Sequence, residues 1–224
     1  MALLGHGALA MWWDMAPAMR AEFEDWHSHE HFPERMRIPG FRRGTRWLSA
    51  TGDEAVFVLY EVEAHDTLSS GAYAAHLNAP TPWSTTMMPH HRNMVRSQCH
   101  VVATRGGAVA RHALTLRFST SPGGEADVRT HLQQLVGTLP SRPGAVGAHL
   151  LRHETPALPR TTEQEIRKGA DRVAEHVVVV CGYDRTALEE LTAASANALP
   201  GLGAVDLLIG VYSLSYSATR ADVA

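Results

Sequence analysis

Lysine is almost missing from this chain. Lys168, in the polar segment RTTEQEIRKGADR, is the only one, so a Schiff-base mechanism would have to rest on that single exposed setting, which argues against it. Cysteine is scarce too. Cys99 and Cys181 both sit in apolar, strand-like runs, the pattern of buried thiols in a reducing compartment and not of a disulfide framework. Neither has an activating charge beside it, which excludes a thiolate nucleophile. No Lys/Arg run stands out and the formal net charge is −3, so no nucleic-acid partner is expected. No uninterrupted apolar run reaches the ~18 residues of a membrane span, so no membrane partner is expected either. The opening MALLGHGALAMWWDM lacks a basic region and meets Asp14 early; it reads as no signal peptide, and the expected location is cytoplasmic. GxxxxGK[ST], GxGxxG after a strand and GxSxG are all absent. Phosphoryl transfer, dinucleotide redox and serine hydrolysis are therefore excluded as leading readings.

What is present is ample apolar material: 45% of 224 residues are hydrophobic and 19% charged, enough for one large or two small folded domains. Strand-like segments are expected at Gly7–Met15, Phe41–Ala50, Ala55–Val62 and Cys99–Thr104, with helices at Pro17–Glu30, Leu68–Leu77 and Pro82–Arg96. Pro33 is expected to break or kink the first helix, and Gly52-Asp53 to turn the chain. The second half repeats the order: strands Ala110–Phe118, Ala145–Arg152, His176–Cys181 and Val205–Ser215, helices Gly124–Leu139 and Arg185–Leu199. Pro39-Gly40 matches Pro143-Gly144 at an offset of 104, and Trp12 lies over Leu116 at the same offset. An insertion near residues 155–172 is needed before AVFVLYEV lies over HVVVVCGY. Each half thus reads as β-α-β-β-α-β, a ferredoxin-like unit. The fold class is α+β: two tandem units, residues 1–105 and 108–220, their antiparallel sheets packed together as a pseudo-dimeric barrel-like core.

The runs DWHSHEHFPERMRIPGFRRGTRW and YEVEAHDTLSSGAYAAHLNAPTPWSTTMMPHHRNMVRSQC resemble bacterial proteins of the dimeric α+β barrel superfamily, which contains EthD-like proteins, antibiotic-biosynthesis monooxygenases and muconolactone isomerases. The resemblance covers residues 8–105 and extends over 108–218 by order of elements. It implies a small-molecule pocket between sheet and helices, and cofactor-free oxygenase, isomerase, cyclase or dehydratase chemistry on aromatic or polyketide-like compounds. Haem proteins of the chlorite dismutase and dye-decolorising peroxidase type are similar in carrying two such units. Fold alone does not give the reaction.

Histidine supplies the candidate chemistry: there are fourteen, and imidazole changes charge near neutral pH and ligates metals. His27 and His31 are four apart and share a helical face; with Glu30 or Glu34 they could hold a divalent metal, or one could move a proton. The alternative is a helix end where histidine meets the last carbonyls. His90 and His91 follow the proline-set loop Asn78–Ser84, whose Trp83 could stack on an aromatic ligand or simply plug the core. Strand alternation puts Phe41, Arg43, Thr45 and Trp47 on one face, and Tyr60 lies on the next strand. Arg43 could hold an oxyanion through its fork of donors and Tyr60 could donate to it; the alternative is a barrel interior. The expectation is therefore an isomerase, lyase or cofactor-independent monooxygenase without organic cofactor or metal. His27, His31, His90 and His91 are candidate bases, Arg43 and Tyr60 stabilise the oxyanion, and Trp26, Trp47, Trp83 and Asn78 are substrate contacts. Homodimerisation through sheet edges or helices is allowed. The rival readings are a non-catalytic ligand-binding protein and a haem or metal protein using His149, His153 or His176.

Overall fold

The protein is described by a computed structural model that covers residues 2–51, 55–156, 158–168 and 171–223. The first half runs β1 (Gly7–Asp14), α1 (Arg20–Trp26), a π-helical turn (His27–His31), α2 (Phe32–Arg37), β2 (Phe41–Ser49), β3 (Ala55–Val62), α3 (Gly71–Asn78), α4 (Pro82–Met87) and β4 (Arg92–Gly106). The second runs β5 (His112–Thr120), α5 (Glu125–Thr138), β6 (Ala145–His153), α6 (Thr162–Ile166), β7 (His176–Gly182), α7 (Arg185–Ala198) and β8 (Ala204–Thr219). All strand pairs are antiparallel and form one closed ring in the order β1-β3-β2-β8-β5-β7-β6-β4. Within it the halves read β4-β1-β3-β2 and β8-β5-β7-β6, the same ferredoxin-like order twice, joined by the seams β2–β8 and β4–β6. The turn glycines of the repeat agree: Gly40 and Gly144 have φ of 90° and 87°, a region where a Cβ is disfavoured.

Strand alternation divides the apolar residues into three cores. On β1 and β3, Ala8, Ala10, Trp12, Phe57 and Leu59 fill the barrel. Leu9, Trp13, Val58 and Tyr60 face the first-half helices. The matching layer of the second half is packed with Leu114, Leu116, Phe118, Val128, Leu132 and Val178.

Several expectations change. The first helix does not stop at Pro33. The π turn inserts one residue, so that Phe23 and His27 before it and Phe32 and Met36 after it are all buried on one side; Pro33, with no N–H to place, sits in the first turn of α2. The expected helix 82–96 ends at His90, after Pro89, and β4 begins at Arg92 because this polar stretch pairs with β1 and is bridged by Arg172. Trp12 and Leu116 are not equivalent: Trp12 points into the barrel and Leu116 toward α5, so the repeat is one residue out of step there. The turn expected at Gly52-Asp53 lies outside the described residues. Because the ring is closed, no sheet edge is left among the described residues for a second copy; helices and barrel ends remain.

Candidate functional site

His27, His31 and Arg35 recur every four residues through the π turn into α2, and all three are buried against the sheet. His91 enters from the loop before β4, Tyr60 from β3, Trp13 from β1, and Glu163 and Arg167 from α6 and its end. Together they enclose a chamber of about 30 Å³ between the first-half sheet and its helices, room for about two waters. Met88 and Met94 complete the wall, and unbranched thioethers repack readily.

The imidazoles are closely grouped. The His27 and His31 rings are 5.2 Å apart, centre to centre. Trp26 lies 4.5 Å from His31, and Trp13 lies 4.9 Å from His91. His27 Nδ1, His31 Nδ1, His91 Nε2 and the Tyr60 hydroxyl are buried without a hydrogen-bond partner. Burial, reinforced by the other histidines and by Arg46 and Arg35, holds His27 well below the usual imidazole range. Burial and Arg35 do the same to His31, and burial with Arg167 brings His91 to about 3. All three are neutral at physiological pH, and each leaves one buried ring nitrogen without a hydrogen-bond partner. Burial pushes the Tyr60 phenol up, so it remains a donor.

Arg35 is the buried charge of the chamber. Burial opposes its charge, but Glu163, with Tyr73, Glu34 and Tyr60, holds it protonated. Its Nη2 donates to Glu163, and its Nη1 has no partner. Arg96 Nη2 donates to the Tyr73 hydroxyl at 2.9 Å. The insertion expected near 155–172 is thus the cover of this chamber, tied down by Glu163 and by Thr162 N–H donating to Asn78 Oδ1 at 3.0 Å.

Other expected residues lie elsewhere. A bulge between Phe41 and Arg43 separates their faces. Phe41 turns to the helices, while Arg43 and Trp47 turn into the barrel, opposite to Tyr60. Arg43 donates to both carboxylate oxygens of Glu61, at 2.6 and 2.9 Å, so its fork is occupied. Trp47 stacks on Phe57 inside the barrel. Asn78 holds Thr162 and does not line the chamber. His90 is half-buried and outside the lining. Trp83 packs at the edge of the helix-side core. Trp26 backs the imidazoles, its Nε1 donating to Glu30 Oε1 and Ser84 Oγ, both at 3.2 Å.

Glu30 and Glu34, weighed as metal ligands, have other partners: Glu30 accepts from Thr81 Oγ1 at 2.5 Å, and one oxygen of Glu34 lies 3.1 Å from His76 Nδ1. The other Glu34 oxygen stands 3.9 Å from His31 Nδ1, but among the described residues no three ligand atoms around His27 and His31 come close enough together to share an ion. Of the histidines weighed for haem, His149 has Nδ1 2.7 Å from Thr104 Oγ1 and Nε2 3.3 Å from the Gly107 carbonyl. His153 is bonded at both nitrogens, to Gln98 and Thr155. His176 has no hydrogen-bond partner at Nε2, which lies 3.4 Å from Glu175. Sequence reasoning missed Arg35, although the four-residue spacing His27, His31, Arg35 was a signal. Glu163 and Arg167 lie in an insertion without periodicity and gave none.

No protein-family model matches the sequence, and no curated protein is significantly similar to it. Solved structures do match over nearly the whole chain. An anthrone oxidase-like protein superposes with a TM-score of 0.68 at 9% identity, over 98% of this chain and 95% of that one. A proposed monooxygenase from Fusobacterium nucleatum subsp. nucleatum gives 0.64 at 6%, over 97% and 96%. A proposed chlorite dismutase gives 0.57 at 11%, over 98% of each. The chain shares the fold of these structures: two ferredoxin-like units in tandem, closed into one barrel within a single chain.

Proposed function

We propose that the protein is a cytoplasmic small-molecule enzyme whose first-half chamber abstracts a proton from an aromatic or cyclic substrate, without an organic cofactor. The observation that carries this is the convergence of three neutral imidazoles with unpartnered nitrogens on one closed chamber beside a buried arginine and a protonated tyrosine. A binding protein has no need for such groups, whose burial without partners costs ~1–3 kcal/mol each. His27 or His31 is the base, and His91 is the alternative. Tyr60 and the free Nη1 of Arg35 hydrogen-bond the oxygen on which negative charge develops.

The lowered basicity of these imidazoles restricts the substrate. A base whose conjugate acid is destabilised by burial removes only a proton that is already acidic, such as that of a phenol or of a carbon flanked by aryl or carbonyl groups. The resulting phenolate or enolate is the common intermediate of an isomerase, a lyase and a cofactor-free oxygenase. Among these we favour the oxygenase: a chamber of about 30 Å³ accepts a molecule the size of dioxygen beside a substrate ring admitted by repacking Met88 and Met94, and similarly folded proteins include one described as anthrone oxidase-like and one as a monooxygenase.

The test reads proton abstraction whatever follows it. Anthrone-type ketones, cyclic β-diketones and phenols are incubated with the protein in deuterium oxide, and exchange and oxygen uptake are followed by NMR and an oxygen electrode. Expected is catalysed exchange or turnover by the wild type, reduced ~10²–10⁴-fold in His27→Ala or His31→Ala. If both variants retain the wild-type rate on a substrate that the protein turns over, the assignment is wrong.

A further inference from the structure

The mouth of the barrel carries a second set of unsatisfied donors, unrelated to the imidazole chamber. Arg117 follows Ala113 and Thr115 on the inward face of β5 and closes the barrel over Trp12, its guanidinium 4.6 Å from the ring centre. At the opposite end, Arg43 closes the barrel with its charge matched by Glu61. Arg117 has no such match: its Nε is buried without a partner, and among the described residues no carboxylate lies within 4.0 Å of it. Tyr212 and, more weakly, Asp14 favour its charge through space, and Asp14 accepts from Asn93 Nδ2 at 2.6 Å. Arg172 stands beside it, its Nη2 donating only to the Asn93 carbonyl, at 3.2 Å. Burial and Arg172 both work against the charge on Arg117.

These two arginines line a pair of adjoining cavities. One, of about 360 Å³, is bounded by Trp12, Asp14, Asn93 and Tyr212 and is mainly polar, with Asp14 engaged by Asn93. The other, of about 390 Å³, is bounded by Val95, Phe118, Val173 and Leu208, with Asp206 at its edge. Val173 and Leu208 leave 53% and 52% of their surface in water, which costs free energy unless something apolar covers them. Two cations at one end, neither within 4.0 Å of a carboxylate among the described residues although Asp14 and Asp206 border the cavities, and a bare aliphatic rim at the other, specify an occupant with the same polarity.

We propose that this groove is a binding site for an amphipathic monocarboxylate, with the carboxylate on Arg117 and Arg172 and the aliphatic or aryl body along Val95, Val173 and Leu208. The arginine fork meets a carboxylate through two parallel N–H donors, which an inorganic anion can also accept and a neutral lipid cannot. Apolar contact then separates an organic acid from free phosphate.

The test is calorimetry and thermal shift with octanoate, 1-octanol and inorganic phosphate on the intact chain at low salt. Expected is 1:1 binding of octanoate with a rise in Tm, at least tenfold tighter than phosphate or octanol. Arg117→Met, which keeps the stem packed on Trp12, should weaken octanoate at least tenfold, and the exposed Arg172→Gln should weaken it several-fold without lowering the Tm of the free protein. Equal affinity for octanol would show an apolar surface only, and equal affinity for phosphate an unspecific cationic patch; either overturns the proposal. So does unchanged octanoate binding in both variants. Should Arg117→Met fail to fold, Arg172→Gln and the comparison of the three probes decide alone.

Discussion

An imidazole that folding forces to stay neutral carries a signature in acid. In the unfolded chain His27, His31 and His91 titrate near 6.5. In the fold, burial depresses each, His91 to about 3. Below pH 6.5 the unfolded state therefore binds more protons, and stability that is fully present above about pH 7 is lost as the pH falls. At pH 5.5 the loss is ~1.4 kcal/mol per imidazole, or ~4 kcal/mol for the three. His149, held near 4 mainly by burial, adds to it with the same sign. The guanidinium groups of Arg35, Arg46 and Arg167 face the histidines. Urea midpoints at pH 7.5 and 5.5 should differ accordingly, and the difference should shrink in a variant with His27, His31 and His91 all replaced by Gln. An unchanged midpoint in the wild type would mean that these rings meet water. On the same argument, kcat/KM for the proposed reaction should show no acid limb near 6.5.

At the scale of elements, the composite helix and the sheet beneath it meet most tightly at Gly44. A Cβ there would lie 2.1 Å from Phe32 Cε1 and 2.9 Å from Tyr60 Cε1. Gly44→Ala must therefore push Phe32 and the floor of the chamber, at a cost of ~1–3 kcal/mol seen as a lower Tm and as lost proton exchange. Gly71→Ala, where a Cβ meets nothing within 4 Å, is the control and should hold or slightly raise stability. The same elements show what could be read in the sequence. β1, β3 and β7 announce themselves through apolar and β-branched runs, and His27 and His31 through helical spacing. β4 does not, because RNMVRSQ has no apolar period of its own and is extended only by its partners. Nor does the bulge in β2, whose single extra residue sends Arg43 into the barrel, away from Tyr60. A parity rule reads a regular strand, and the functional side of this one is set where regularity fails.

For the whole molecule, the tandem order of elements followed from the repeat, whereas the cover of the chamber did not, because long-range contacts such as Arg35 with Glu163 leave no local trace. The halves share a topology but differ in what lies between sheet and helices. One interlayer holds a group of imidazoles and a guanidinium, the other is mainly aliphatic, with Thr192 and Ser195 buried on α7 and His176 stacked on Phe118. The ring itself has a kinetic corollary. Every strand is flanked on both sides, so no ladder can fray from a free margin and releasing one strand severs two. Amide protons of β1 and β5, on opposite sides of the ring, should then exchange with solvent deuterium at matching, slow rates set by global opening, while α6 and the segment around it exchange earlier. A β1 that exchanged well ahead of β5 would show that the circle unzips.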